Sequence, residues 1–328
     1  MIVHPAHAPL IRREDGITTL HLSEAGGLRQ FGCYVETLPP GTRSSERHWH
    51  LAEDEALYLL SGTATVVDDC GAHVLTPGDA AIWRRGEPDA HHVQNRSAAP
   101  ATYVIVGSRV AGDICHYPDS GTRMVNHATT WEVLDAAGTR LRGGDLPPEL
   151  LDLAPDWGGP RDTDLTPRRI QPAATREWLL EDGYIHPILG PLGAYRHCVL
   201  GDPGGLTQFG LHLEDLPPGG TSSFRHWHER EDEMILVLSG APTLIEDTET
   251  LLAPGDAACW PAGQPIGHRL ENRSDRPATY LTLGTRFPRD VIHYTDHDLI
   301  THNDGPARRY LRRDGTEYPP KDPHGGAT

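Results

Sequence analysis

The chain has 328 residues, room for one large domain or two of ordinary size, and 46 acidic against 29 basic side chains give a formal charge of −17. That sign argues against nucleic acid and anionic lipid as partners, and no apolar run approaches the ~18 residues of a membrane span. No secretory signal opens the chain, and its five cysteines (33, 70, 115, 198 and 259) form no CxxC pair, so a cytoplasmic protein without a disulfide framework or thiolate zinc site is expected.

With 35 glycines and 29 prolines the chain reads as turn-rich and β rather than helical. Its single lysine, Lys321, lies in a Pro/Gly-rich tail, which removes Schiff-base and P-loop chemistry. In chain order, short apolar or alternating runs mark strands: GCYVETL from residue 32, EALYLLSG from 55, TATVVDD from 63, HVLTPGD from 73, AAIW from 80, HHVQNR from 91 and ATYVIVGS from 101. A Pro, Gly and Asp-rich stretch follows over 126–184 and reads as a linker that packs on the domains either side, with a short helix expected near 175–181.

The same strands then recur. Residues 31–62 and 209–240 are identical at about 19 of 32 positions, and the match resumes at 77–97 against 254–274. The expected organisation is one barrel over 1–125, the linker over 126–184, a second barrel over 185–308 and a tail over 309–328. Many short strands per unit of this size predict an all-β sandwich or small barrel, and two fused copies are expected to bury a sheet face against each other. A further homo-oligomer stays open.

Each copy carries an HxH pair, a Glu five residues on and a distant His followed three residues later by Asn: His48, His50, Glu55, His91 and Asn95, then His226, His228, Glu233, His268 and Asn272. On a strand, residues i and i+2 share a face, so each HxH pair converges on one point. Three imidazoles and a carboxylate suit a divalent first-row cation such as Fe, Mn, Cu, Ni or Zn, up to two per chain. Trp49, Trp227, Arg47 and Arg225 fall on the opposite face. Glu53 and Glu231 read equally as acids around a ligand or as a solvated turn. Gln208 and His212 are candidates to line a substrate pocket, with Gln30 and Tyr34 as first-copy counterparts. Arg84-Arg85 reads as a solvated turn or as a rim for an anionic substrate.

The spacing G-x6-HxH-x4-E-x6-G from Gly41 to Gly62 and from Gly219 to Gly240 closely resembles the first cupin motif, with one extra residue before HxH. Gly255 to Asn272 resembles the second motif with two extra residues before His268, and Gly78 to Asn95 departs from it by placing Arg84 where the motif has Pro. The resemblance implies a bicupin of two double-stranded β-helical jelly-roll barrels, with a metal held by the three histidines and the glutamate of each.

Bicupins with this ligand set resemble flavonol dioxygenases and oxalate decarboxylases. The expectation is a metal-dependent enzyme on a small organic molecule, foremost a dioxygenase or other oxidoreductase, with a non-redox lyase or isomerase as alternative. A small-molecule-binding bicupin without catalysis is the second alternative. No catalytic residue beyond the ligands is identified. The fuller motif and His212 point to the second barrel as the working site.

Overall fold

The computed structural model describes residues 1–151, 153–154, 157–159, 162, 164–181, 185–193 and 195–319. Lys321 with the rest of 320–328, and several residues of the linker including its end, lie outside the described residues. Two seven-stranded antiparallel sheets dominate, one per half, in the same order. In the first, Glu55–Ser61 lies between Ala80–Trp83 and Ala101–Ser108, and Phe31–Leu38 follows. In the second, Glu233–Ser239 lies between Ala257–Trp260 and Ala278–Thr285, and Phe209–Leu216 follows. Smaller sheets that include the HxH strands, Trp49–His50 and His226–His228, complete two jelly-roll barrels. No helix among the described residues is long and apolar enough to cross a membrane.

Local sequence explains the frame. Gly62 and Gly240 close the motif at φ 78°, where a side chain would also collide with the carbonyls of Pro100 and Pro277. Asn95 and Asn272 are internal braces: each amide donates to the carbonyls of Leu38 and Ala99, or Leu216 and Arg276. Alternation does the rest, one strand face packing inside a barrel and the other against the opposite barrel.

Three cores result. Leu57, Leu59, Val66, Ile17 and Tyr103 fill part of the first barrel, and Ile235, Val237, Leu244 and Tyr280 part of the second. The third lies between the barrels, where Phe31, Cys33, Ala56, Ile82 and Val104 meet Phe209, Leu211, Met234, Cys259 and Leu281. Phe31 and Phe209, equivalent in the repeat, face each other with ring centroids 6.5 Å apart. The expected burial of one sheet face on the other is therefore found within a single chain.

The halves also exchange strands. Ile2–Val3 pairs with Ala257–Trp260 of the second barrel, and Ile170–Gln171 pairs with Ala80–Trp83 of the first. The segment expected as a linker that packs on the barrels carries strands of its own: Thr130–Leu134 and Arg140–Asp145 extend the sheet that holds Trp49–His50. Its Gly and Asp residues make the turns between these strands, which is why composition reads as linker. In place of the helix expected at 175–181 stands a single 3-10 turn, Ala173–Thr175, followed by the strand Leu179–Glu181.

Candidate functional site

In each barrel the four residues of the motif converge. Glu55 Oε2 lies 3.1 Å from His91 Nε2, 3.7 Å from His48 Nε2 and 3.9 Å from His50 Nε2. In the second barrel Glu233 Oε2 lies 3.0 Å from His268 Nε2, 3.8 Å from His226 Nε2 and 3.7 Å from His228 Nε2. The strands explain the convergence. His48 bridges to His91 across the barrel wall, and Glu55 stands at the start of the adjoining sheet.

The other nitrogen of each ring is anchored. The Nδ1 atoms of His48 and His226 meet the carbonyls of Glu46 (3.0 Å) and Phe224 (2.8 Å), and those of His91 and His268 meet Asp89 (3.2 Å) and Ile266 (3.1 Å). A ring that donates Nδ1–H to a carbonyl presents the Nε2 lone pair inward. Three such lone pairs around one carboxylate are a donor set that fits a divalent transition cation.

Sequence reasoning missed the acids that hold the remaining rings. His50 Nδ1 lies 2.7 Å from Asp113 Oδ2, and His228 Nδ1 lies 2.6 Å from Asp290 Oδ2. Both aspartates are buried, and their second oxygens accept the amides of Ala52 and Arg230. Only their recurrence in the repeat, Asp113-Ile-Cys-His-Tyr against Asp290-Val-Ile-His-Tyr, could have flagged them. Also missed were Trp83 and Trp260, stacked flat on His91 and His268 at 3.8 and 3.7 Å. Trp49 and Trp227 point away and stack on His116 and His293, and Arg47 pairs with Asp69 and Asp119 on that outer side.

The charges balance around the donors. Burial alone would raise Glu55 and Glu233, but the surrounding imidazoles hold both well below the usual carboxylate range. Burial pushes His226 down to about 4, while Asp290 overcomes burial and lifts His228 to about 9. Glu53 and Glu231 approach the same rings as the aspartates, at 3.7 and 3.5 Å from Nδ1. Burial raises them to about 8 and about 7, the buried aspartates adding to the effect. They do not lie in solvated turns: each stands beside a donor ring and accepts a backbone amide, from Val110 or Phe287.

Beneath each donor set a buried tyrosine meets a glutamate. Tyr103 donates to Glu36 at 2.5 Å and Tyr280 to Glu214 at 2.7 Å.

The two barrels differ in what lies over the donors. A cavity of about 460 Å³ opens on His50, Glu53, Tyr34 and Arg109 of the first barrel, roofed by Leu146, Leu150 and Leu153. Gly107, in register beside Glu55, has open space where a side chain would stand, and His50 brings the donor set to the cavity wall. In the second barrel the counterpart of Val110, a cavity-wall residue, is Phe287, and Trp157 stacks on it at 4.8 Å. Among the described residues a cavity thus opens in the first barrel, whereas motif completeness pointed to the second.

Two further expectations are corrected. Gln208 does not face a pocket: it is fully buried at the barrel interface, where its Oε1 accepts from the Asp54 amide and the Ser108 hydroxyl and its Nε2 donates to the Ala52 carbonyl. Its counterpart Gln30 is bound in the same way to Asp232, Thr285 and Arg230. His212, the counterpart of the cavity residue Tyr34, packs near His197, ring centroids 6.2 Å apart, and burial with Arg286 lowers it to about 4, so it is uncharged at neutral pH. Arg84 and Arg85 do not form a rim; they bond to the linker carbonyls of Asp162 and Gly159.

Comparison with known proteins agrees with this geometry. A family model described as the cupin domain matches residues 34–107 and 212–284. No curated protein matches the chain. Among solved structures, an oxalate decarboxylase from Lactobacillus farciminis in complex with formate is 15% identical over 90% of this chain and 88% of that one, with a TM-score of 0.55. An oxalate decarboxylase from Bacillus subtilis is 16% identical over 86% and 75%, with a TM-score of 0.52. A sugar phosphate isomerase of the cupin superfamily from Silicibacter pomeroyi is 39% identical over 44% of this chain and 94% of that one, with a TM-score of 0.42.

Proposed function

The chain belongs to the cupin superfamily, with one cupin barrel in each half, and on that premise we propose that it is a metal-dependent enzyme acting on a small organic molecule bound in the first barrel. The observation that carries the reading is the cavity of about 460 Å³ that opens on His50 of the donor set. A cavity of that size, partly apolar and with a few polar groups converging at one end, suits a small substrate. His48, His50, Glu55 and His91 would hold the cation, and His226, His228, Glu233 and His268 a second one. A bound divalent cation supplies Lewis-acid polarisation and, where redox-active, O₂ chemistry.

The residues of this chain divide the remaining work. Asp113 fixes the His50 ring, and Trp83 fixes His91 by stacking. Arg109 lines the cavity, but its charge is matched by Glu24 and its guanidinium also donates to the Tyr34 hydroxyl, so the wall is polar rather than strongly anion-attracting. Leu146, Leu150 and Leu153 give the far wall an apolar surface that excludes water.

For the reaction, we propose a dioxygenase or related oxidoreductase, since imidazole and carboxylate donors suit redox-active first-row cations and leave the cation open on the cavity side. A specific observation favours the second reading, a non-redox lyase or isomerase. Glu53 sits on the cavity wall beside His50 and is protonated at neutral pH, as a general acid in such chemistry would be.

Purification without chelator, elemental analysis and an O₂-consumption screen over small organic acids, enols and carbonyls separate the two. Iron, copper or manganese with substrate-dependent O₂ uptake supports the first reading, and turnover without O₂ uptake supports the second. Gly107→Leu tests the location. An added side chain at Gly107 meets open cavity rather than neighbouring atoms, so it is expected to fill the cavity and abolish turnover while metal content and fold persist.

A further inference from the structure

The first barrel holds a sulfur that the second lacks. Ile114–Tyr117 pairs antiparallel with Trp49–His50, with Cys115 directly opposite His50. Directly opposed residues of such a pair project from the same face, so the thiol is carried to the side on which His50 meets the other donors. Cys115 is 2% exposed, and its sulfur lies within 4.8 Å of ring nitrogens of both His48 and His50. On its other flank stands Met124, which lines the cavity.

The repeat supplies an internal comparison. Ile292 occupies the place of Cys115 opposite His228, and the Tyr294 hydroxyl there meets His186 at 3.1 Å. The two donor sets, otherwise the same in residue type, therefore differ by one sulfur beside them.

The geometry points to Cys115 as a further, sulfur donor to the cation of the first barrel, alongside His48, His50, Glu55 and His91. This rests on the metal-binding reading given above. Coordination replaces the S–H bond with a sulfur–metal bond, and the thiol proton passes to the solvent buffer, as it does whenever a cysteine becomes a ligand. A thiolate draws the site toward softer cations such as copper, zinc or iron, whereas imidazole and carboxylate alone also accommodate manganese and nickel. One chain would then hold two cations of different preference. The competing view is that Cys115 is a small apolar filler, a frequent role for a buried cysteine.

The test uses the full-length protein, stripped of metal and reloaded with Co²⁺, read by elemental analysis and by near-ultraviolet absorption. Two cobalt ions per chain are expected, with a sulfur-to-cobalt charge-transfer band. The band should persist in the His226→Ala, His228→Ala double variant, where only the first barrel is loaded, and disappear in Cys115→Ser with cobalt still bound. Ile292→Cys should create a second such band, which keeps the test open if Cys115→Ser does not fold. Two bound ions without the band, or a band unaffected by Cys115→Ser, overturn the inference and leave the two donor sets standing. Failure to bind cobalt at all overturns the metal reading and this inference together.

Discussion

Asp54 of the first barrel and Gln208 of the second bind each other in both directions: the Asp54 amide donates to Gln208 Oε1 at 3.0 Å, and the Gln208 amide donates to Asp54 Oδ2 at 2.9 Å. Asp54 Oδ2 also accepts the Thr207 amide at 2.6 Å, and Oδ1 accepts that of Arg85 at 2.8 Å. Asp232 and Gln30 repeat the arrangement with the barrels reversed. Each aspartate sits one residue before a candidate ligand, Glu55 or Glu233, so the joint between barrels also sets where those carboxylates begin.

Gln208→Ala is accordingly expected to lower stability rather than substrate affinity. It removes three hydrogen bonds from a buried joint, those to the Asp54 amide, the Ser108 hydroxyl and the Ala52 carbonyl, at about 0.5–1.5 kcal/mol each. Asp54 and Ser108 still bond to each other. Urea denaturation should show a loss of roughly 2–4 kcal/mol, with metal content unchanged. An unaltered midpoint combined with a raised KM would restore Gln208 to the substrate pocket.

The donor sets are local to each barrel, so their losses should be independent. Wild-type protein is expected to bind two transition-metal ions per chain, and His48→Ala with His50→Ala to bind one. Elemental analysis after gel filtration reads this directly. Loss of both ions in the double variant would mean that the sites are coupled.

Removing the charge of a buried acid behind a ligand should weaken the cation without touching it. Asp113→Asn leaves a partner for His50 Nδ1 but no carboxylate, and first-barrel metal affinity should fall by about 10–100-fold. Asp290→Asn should do the same in the second barrel only. Competition with a chromophoric chelator measures both, and equal affinity in wild type and variants would contradict the role given to these acids.

Glu214, inside the second barrel, makes stability of the metal-free protein depend on pH. Burial pushes its carboxyl up to about 7 from a usual 4.5, so the folded chain holds a proton that the unfolded chain releases. Stability from this group is full below about pH 4.5, declines as pH rises, and is lost above about pH 7. Glu214→Gln keeps an acceptor for Tyr280 and cannot ionise. It should match wild type in acid and exceed it by about 1–3 kcal/mol at mildly alkaline pH, as read by denaturation across the range. Parallel pH profiles for the two proteins would show that Glu214 ionises normally.

What could be read from the sequence was whatever is local or duplicated. The HxH pairs are legible because residues i and i+2 of a strand share a face, and the repeat shows His48, His50, Glu55 and His91 recurring in step as His226, His228, Glu233 and His268. The glycine at the end of each motif and the asparagine after the last histidine are legible for the same reason: each acts within a few residues of itself.

What only the tertiary structure decided depends on register between distant strands. Asp113 reaches His50 from 63 residues away, and Gln208 reaches Asp54 from 154. Neither separation follows any period in the chain. The cavity is the clearest case. Near-identical motifs give one barrel an open mouth under Leu146, Leu150 and Leu153, and place Trp157 on Phe287 in the other. Those covering residues belong to the unrepeated segment between the copies, and where it comes to rest is set by packing against both barrels at once, which no stretch of sequence encodes by itself.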